Sequence, residues 1–247
     1  MSLQPQTPSS AGFWNVLLGG KSNYPVDRAL AEEMEHSYPG LYGLARASRQ
    51  FQQASIEFLL ERGVEQFIDL GAGLPLASGN THEIAQEIQP TARVVYVDND
   101  PIVLAHERAL LTSRPEGRTA YLDLDFYQRE QVLEQAGQTL DLSKPVGVLW
   151  MSTLGHVPAQ KAPALVRDYL GALSSGSYLA LCDTLSTDGT IDTANEDYAA
   201  SGTQPYTARR REDFDAIVEG QEVVWPLHAL PDHDGQLTEQ HGLIIRT

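Results

Sequence analysis

One cysteine stands in the 247 residues, Cys182. A single thiol closes no intrachain disulfide and builds no thiolate metal cluster. It sits in the apolar run Tyr178 to Leu181 and reads as a small core residue. Basic residues are scarce, 17 Lys and Arg against 33 Asp and Glu, for a formal charge of -16. Nucleic-acid affinity rests on Lys and Arg neutralising phosphates, so this balance argues against a phosphate-backbone partner. It speaks equally against an anionic membrane surface. The run Arg209-Arg210-Arg211 reads as a solvated turn or helix start, not a patch. No apolar run approaches the ~20 residues of a membrane-spanning helix. The longest, Val146 to Trp150, suits a buried strand. A basic stretch followed by an apolar one is missing at the start, so a cytoplasmic protein is expected. His82-Glu83 lacks the second histidine of a zinc-hydrolase pair, and there is no Gly-x-Ser-x-Gly elbow.

What is present is a repeated alternation. Met1 to Ser10 is polar with two prolines and reads as a disordered tail, and 11–247 as a single domain. Tyr42 to Arg62 is a helix with Leu44, Ala47, Phe51, Ala54, Phe58 and Leu59 on one stripe, closing an N-terminal cap over 11–62. Strands are expected over Gln66 to Leu70, Arg93 to Val97, Thr119 to Leu124, Val146 to Met151 and Ser177 to Cys182. Helices are expected between them: Thr81 to Gln89 (Ile84, Ala85 and Ile88 on one face), Asp100 to Ser113, Gln128 to Gln138 and Gln160 to Leu173. Asp100 would cap its helix, with Pro101 in the first turn. Residues 188–220 read as a helical insert or lid broken at Thr203-Gln204-Pro205. Gln221 to Leu227 and Gly242 to Arg246 are the last strands, joined through Asp232-His233-Asp234-Gly235. Such alternation means an α/β fold, a mostly parallel sheet with helices on both faces. Ligands of such sheets bind beyond the carboxyl ends of the strands, where the strand order reverses. The chemistry is therefore sought just after Leu70, Val97, Leu124, Met151 and Cys182.

After the first strand stands Asp69-Leu70-Gly71-Ala72-Gly73-Leu74-Pro75. Gly71 and Gly73, with Ala72 between, allow a tight turn and close approach of a ligand to backbone. Asp69 can receive an ammonium. A pyrophosphate loop needs a third glycine opening into a helix, and Leu74-Pro75 interrupts that. After the second strand, Asp98 can accept from two ribose hydroxyls, with Asn99 beside it. After the third, Asp125 and Phe126 suit an adenine amino group and ring, or equally a helix cap and a core phenylalanine. Amine, ribose and adenine in this order outline S-adenosylmethionine (SAM).

The chain resembles the SAM-dependent methyltransferases long catalogued as a domain of unknown function. Four stretches carry the resemblance: Leu17-Leu18-Gly19-Gly20-Lys21-Ser22-Asn23-Tyr24; Phe67 to Pro75 with Asn80-Thr81-His82-Glu83; Val94 to His106; and Gly117-Arg118-Thr119-Ala120. It implies a class I methyltransferase fold, Rossmann-like and seven-stranded, whose last strand, Gly242 to Arg246, runs antiparallel. It also implies that Leu17 to Tyr24 folds over the ligand with Lys21 and Tyr24 facing the site. Arg49 matches a family position and would pair with the SAM carboxylate, or else make a surface salt bridge. The sequence departs from the family after the fourth strand, where Leu-His-Phe-Val-Pro becomes Leu154-Gly155-His156-Val157-Pro158. Before Leu17 a Tyr-Asp-Tyr becomes Phe13-Trp14-Asn15-Val16.

A methyltransferase acting on a small molecule is thus expected, with SAM as cofactor and S-adenosylhomocysteine as product. Asp69, Gly71, Ala72, Gly73, Asp98, Asn99, Asp125, Phe126, Met151, Lys21 and Arg49 are the cofactor-binding candidates. His156, His82 and Tyr24 are the candidate bases, His82 also reading as a helix-start residue that orients the loop. Tyr198 and Tyr206 would line the acceptor pocket. Two alternatives remain at this point: a SAM-binding sensor or partner subunit without methyl transfer, and an NAD-dependent oxidoreductase. Neither the acceptor nor the oligomeric state is written in the pattern.

Overall fold

The computed structural model describes residues 5–103, 106 and 112–247. In chain order, helices α1 (Ser10–Leu17), α2 (Pro25–Ser37) and α3 (Leu41–Leu60) precede strand β1 (Gln66–Leu70). Then come α4 (Thr81–Ile88), β2 (Arg93–Asp98), β3 (Arg118–Asp123), α5 (Arg129–Ala136) and β4 (Gly147–Met151). The rest is α6 (Ala162–Gly171), β5 (Tyr178–Thr184), α7 (Thr190–Ala200), α8 (Arg211–Val218), β6 (Glu222–Pro231) and β7 (Leu237–Arg246). The strands form one seven-stranded sheet in the order β3-β2-β1-β4-β5-β7-β6. Neighbours from β3 to β5 are parallel, and β7 lies antiparallel between β5 and β6. This is the expected class I architecture with its reversed strand. The order reverses between β1 and β4, which opens a crevice at their carboxyl ends.

The strands read as apolar runs because both faces are covered. Alternate residues feed two cores. Ile68, Leu70, Val95, Val97, Val148, Trp150, Leu179 and Leu181 point to one, under α5, α6 and α8. Phe67, Val94, Tyr96, Leu149, Ala180 and Cys182 point to the other, under α3 and α4. Phe51, Ile56 and Leu59 bring the stripe of α3 onto that face, each contributing about 2 kcal/mol of burial. A third cluster joins α1, α2, the start of α3 and α7. The N-terminal segment and the insert after β5 therefore make one cap.

Three local expectations are corrected. The tail was expected to run to Ser10, yet Ser9 is already the N-cap of α1, accepting from the Gly12 N–H at 2.9 Å. Its own N–H donates to Asp27 Oδ1 at 3.0 Å, an anchor 18 positions away that local polarity does not reveal. On α4, Ile88 is 55% exposed, and the buried face runs through Thr81, His82, Ala85 and Gln86. Polar side chains hold that face because each finds an interior partner, Gln86 donating to the Ala92 carbonyl at 3.0 Å. Third, Arg209 is buried, as described below. The helix expected over Asp100 to Ser113 falls largely outside the described residues; Pro101, Ile102 and Val103 are helical. Among the described residues no helix is long and apolar enough to cross a membrane.

Candidate active site

A cavity of about 370 Å³ opens at the carboxyl ends of β1 to β4, at the reversal of strand order, and runs beneath the cap. Its size falls in the range of small-molecule and cofactor sites. Arg49, Asp69, Gly71, Ala72, Gly73, Asp98, Asn99, Asp125, Phe126, Met151 and His156 all line it. The sequence had spread them over 108 positions, from Arg49 to His156 inclusive.

Asp69, near the end of β1, is 3% exposed. Thr81 Oγ1 donates to its Oδ2 at 2.5 Å and Gln52 Nε2 at 3.1 Å. Both bonds fall on Oδ2, and Oδ1 is left without one among the described residues. Burial pushes the carboxyl pKa up, while the bonds from Thr81 and Gln52 and the nearby Arg49 oppose it. Arg49, from α3, lies in the same wall. Burial pushes its pKa down, against the attraction of Asp69. Its Nη1 donates to Gln52 Oε1, and its Nε has no hydrogen-bond partner. A buried acid and a half-buried base in one wall fit an amino acid's ammonium and carboxylate.

The loop after β1 is tied to β2 by Gly71 N–H donating to the Val97 carbonyl at 2.8 Å. Gly71 has φ +70°, and a Cβ there would meet Thr153 Cγ2 at 2.6 Å. Both facts require glycine. Asp98, at the end of β2, accepts from the Gly73 N–H and the Asp100 N–H, both at 2.9 Å. Burial pushes its pKa up to about 6 against those two bonds. Asn99 Nδ2 donates to Asp125 Oδ2 at 3.3 Å, linking the second and third strand ends. Phe126 packs edge-on to Trp150 at 5.3 Å, so its ring is held by the core while lining the cavity. After Met151, Ser152 has φ +56°, the one positive value on a non-glycine among the described residues. Such strain costs roughly 1–3 kcal/mol and gathers at functional sites. Here Ser152 is held by its N–H to the Cys182 carbonyl at 2.7 Å, by Ser48 Oγ at 2.8 Å and by Gln240 Nε2.

The turn that follows, Leu154–His156, carries the shifted histidine. His156 Nδ1 lies 2.8 Å from the Pro205 carbonyl, and its Nε2 3.2 Å from Ser10 Oγ. Burial pushes its pKa below the ordinary 6.5. Tyr206 packs edge-on to it at 5.3 Å and donates its hydroxyl to Asp183. Below them Arg209, with no exposed surface, sets its Nε 3.7 Å from Asp183 Oδ2. Its Nη2 donates to the carbonyls of Leu154 and Val157. Arg209 is thus an internal brace for the turn, not part of a solvated basic run. Arg210 and Arg211 are paired at the surface with Asp192 and Asp215.

Three candidates lie outside the cavity wall. Lys21 is exposed, and Tyr24 is the N-cap residue of α2, its N–H donating to Asp27 Oδ2 at 2.8 Å. The segment Leu17 to Tyr24 is a turn knotted onto Asn15, whose Oδ1 accepts from the Ser22 N–H and from Asn23 Nδ2. Gly20 is needed there because a Cβ would overlap the Asn15 amide at 2.3 Å. His82 is buried, its ring Nδ1 2.8 Å from Tyr96 Oη, and packs behind the site. Lys21→Ala is accordingly expected to leave S-adenosylhomocysteine affinity unchanged within twofold by calorimetry. Gln52, Ser48, Asn15 and Ser10 line the cavity and were not picked out from the sequence. Gln52 sits at the right helical spacing, i+3 from Arg49, but nothing local marks it.

A family model described as S-adenosyl methyltransferase matches residues 1–230. The chain belongs to the S-adenosyl methyltransferase family. A solved DUF574 family protein from Streptomyces avermitilis is 34% identical, with 98% of each chain covered and a TM-score of 0.91. A protein from Thermobifida fusca assigned as a methyltransferase is 31% identical over 100% of this chain and 99% of its own, with a TM-score of 0.89. Magnesium protoporphyrin IX methyltransferase from Synechocystis, solved with SAM bound, is 12% identical over 95% of this chain and 90% of its own. Its TM-score of 0.54 concerns the fold alone. None of the curated proteins matches the sequence. As a SAM-dependent methyltransferase, the chain has a cavity whose parts can be assigned in chemical terms.

Proposed function

We propose that this methyltransferase holds SAM along the ends of β1, β2 and β3 and methylates a small molecule under the cap. Asp69 takes the cofactor's ammonium and the Arg49 guanidinium its carboxylate. Asp98 accepts from the ribose hydroxyls, Asp125 accepts from the adenine amino group, and Phe126 flanks the base. Asn99 orients Asp125, and Gly71, Ala72, Gly73 and Met151 supply close walls. The single observation that carries this reading is Asp69, both of whose hydrogen bonds fall on Oδ2, standing with Arg49 in one wall of the cavity at the reversal of strand order. A zwitterion offers an ammonium to the one and a carboxylate to the other.

When bound, SAM supplies an electrophilic methyl group on its sulfonium. The protein's part is to orient, to exclude water and to hold a proton acceptor nearby. α1 and α7 cover part of the cavity beyond the strand ends. An NAD site is disfavoured because Leu74-Pro75 follows the glycines and α4 starts only at Thr81. A pyrophosphate would therefore lack a helix N-terminus. Calorimetric titration tests the reading: S-adenosylhomocysteine is expected to bind and NAD to give no heat. A folded sample, free of co-purified ligand, that bound NAD or failed to bind S-adenosylhomocysteine would sink it.

A further inference from the structure

The cavity has two walls of different character. Its formal charges, Arg49, Asp69, Asp98, Asp100 and Asp125, all come from the strand ends and from α3. The capped part is walled by Phe13, Trp14, Leu44, Ile191, Tyr198 and Tyr206, and among the described residues there it bears no formal charge. Phe13 and Tyr198 pack ring on ring at 5.1 Å. An ionised acceptor would lose its hydration here and gain no counter-charge, whereas an uncharged ring would gain apolar and aromatic contact.

One group in this wall can move a proton. The Pro205 carbonyl only accepts hydrogen bonds, so His156 Nδ1, at 2.8 Å, must carry the ring proton. Nε2 is then the bare nitrogen. Its partner is the Ser10 hydroxyl, 3.2 Å away, which donates to it. A hydroxyl therefore already stands where an acceptor's hydroxyl would have to stand. Burial keeps the ring neutral at neutral pH. The turn is clamped by Arg209 through the carbonyls on either side of His156, which fixes the ring's position.

Resting on the cofactor assignment above, we propose that the acceptor is an uncharged aromatic molecule presenting an O–H or ring N–H, and that His156 Nε2 receives that proton. The acceptor displaces Ser10 from Nε2. Its O–H bond breaks, an N–H bond forms at Nε2, and the electron pair stays on the acceptor oxygen, which becomes the nucleophile. The imidazolium then sheds its proton to water. Pro205 sets the tautomer, and Tyr206 and Arg209 act as positioning residues.

The test uses protein saturated with S-adenosylhomocysteine and three matched probes: para-nitrophenol, para-nitroanisole and para-nitrobenzoate. The two neutral probes are expected to bind, with the carboxylate at least tenfold weaker. At a pH where free para-nitrophenol is mostly protonated, it should bind as the neutral phenol, its O–H donating to Nε2, and severalfold more tightly than para-nitroanisole, which has no proton to donate. In histidine-labelled protein the Nε2 nitrogen signal should shift on binding para-nitrophenol and not on binding para-nitroanisole. His156→Asn keeps an amide N–H for the Pro205 carbonyl but removes Nε2. It should bind S-adenosylhomocysteine within twofold of wild type and lose the preference for para-nitrophenol over para-nitroanisole. Equal binding of para-nitrobenzoate, no preference for para-nitrophenol in the wild type, the same preference in His156→Asn, or no binding of either neutral probe would each overturn the proposal. Loss of S-adenosylhomocysteine binding in wild type would overturn the cofactor reading instead.

Discussion

Asp98→Ala is expected to weaken S-adenosylhomocysteine binding by roughly 10²–10⁴-fold. Hydrogen bonds to a charged group contribute about 1.5–3 kcal/mol each, and the ribose would make two. The substitution also frees the Gly73 and Asp100 N–H groups, both now held at 2.9 Å, so the loop that walls the cofactor loosens. pH adds a second signature. Burial raises the Asp98 pKa from 3.8 to about 6, so its ionised form, the better acceptor, declines as pH falls through about 6. Affinity of the wild type should fall with it, and Asp98→Asn should remove that dependence. The sign for stability is opposite. A carboxyl whose folded pKa is raised disfavours the unliganded fold at pH above about 6, and that cost is relieved as pH falls from about 6 toward 3.8. The rise corresponds to about 3 kcal/mol at most. Unliganded protein should therefore gain, from this group, some stability between neutral and mildly acidic pH. Calorimetry and urea denaturation at several pH values check both signs. An affinity unmoved by Asp98→Ala would remove the ribose assignment.

Arg209→Leu should cost about 3–5 kcal/mol, because it leaves a buried charge without its partner. Asp183 has no exposed surface, and burial already pushes its pKa up to about 6 despite Arg209 and Tyr206. Without the guanidinium, only the Tyr206 and Thr184 bonds offset the burial of the Asp183 charge, and the Leu154 and Val157 carbonyls would lose their donor. A melting temperature lower by roughly 10–15 °C is expected at this chain length. Adding Asp183→Asn should restore a large part of the loss. The asparagine Oδ1 can still accept from Tyr206, and no uncompensated charge remains. Urea denaturation of the wild type, both single variants and the double variant closes the cycle. Additive losses, with no recovery in the double variant, would mean that the pair is not coupled.

Much of the site was legible because strand ends announce themselves. β1 runs from Gln66 to Leu70, as its buried apolar run and the following glycines imply. Asp69, Asp98 and Asp125 line the cavity because each stands at or just beyond the carboxyl end of an apolar run, where the strand order opens the sheet. Cys182 proved to be core, its thiol pushed up to about 12 by burial. Lys21 and Tyr24 lie outside the cavity wall for a different reason. A turn with two glycines looks the same whether it wraps a ligand or an asparagine of its own chain. Only Asn15, found against Gly20 and Ser22, distinguishes the two.

Local pattern alone determined the elements, the parallel sheet, the acids at three strand ends and the absence of a pyrophosphate seat. Each follows from periodicity, turn chemistry or the order of residues along one strand, which act over a few positions. The tertiary structure decided the rest: that Arg49 shares a cavity wall with Asp69, that Arg209 is internal, and that Ser10 and Pro205 together fix the proton on His156. These pairings join residues 20, 26, 146 and 49 positions apart. A side chain's charge, tautomer and exposure are set by its neighbours in space, and those neighbours exist only once the strands have been ordered.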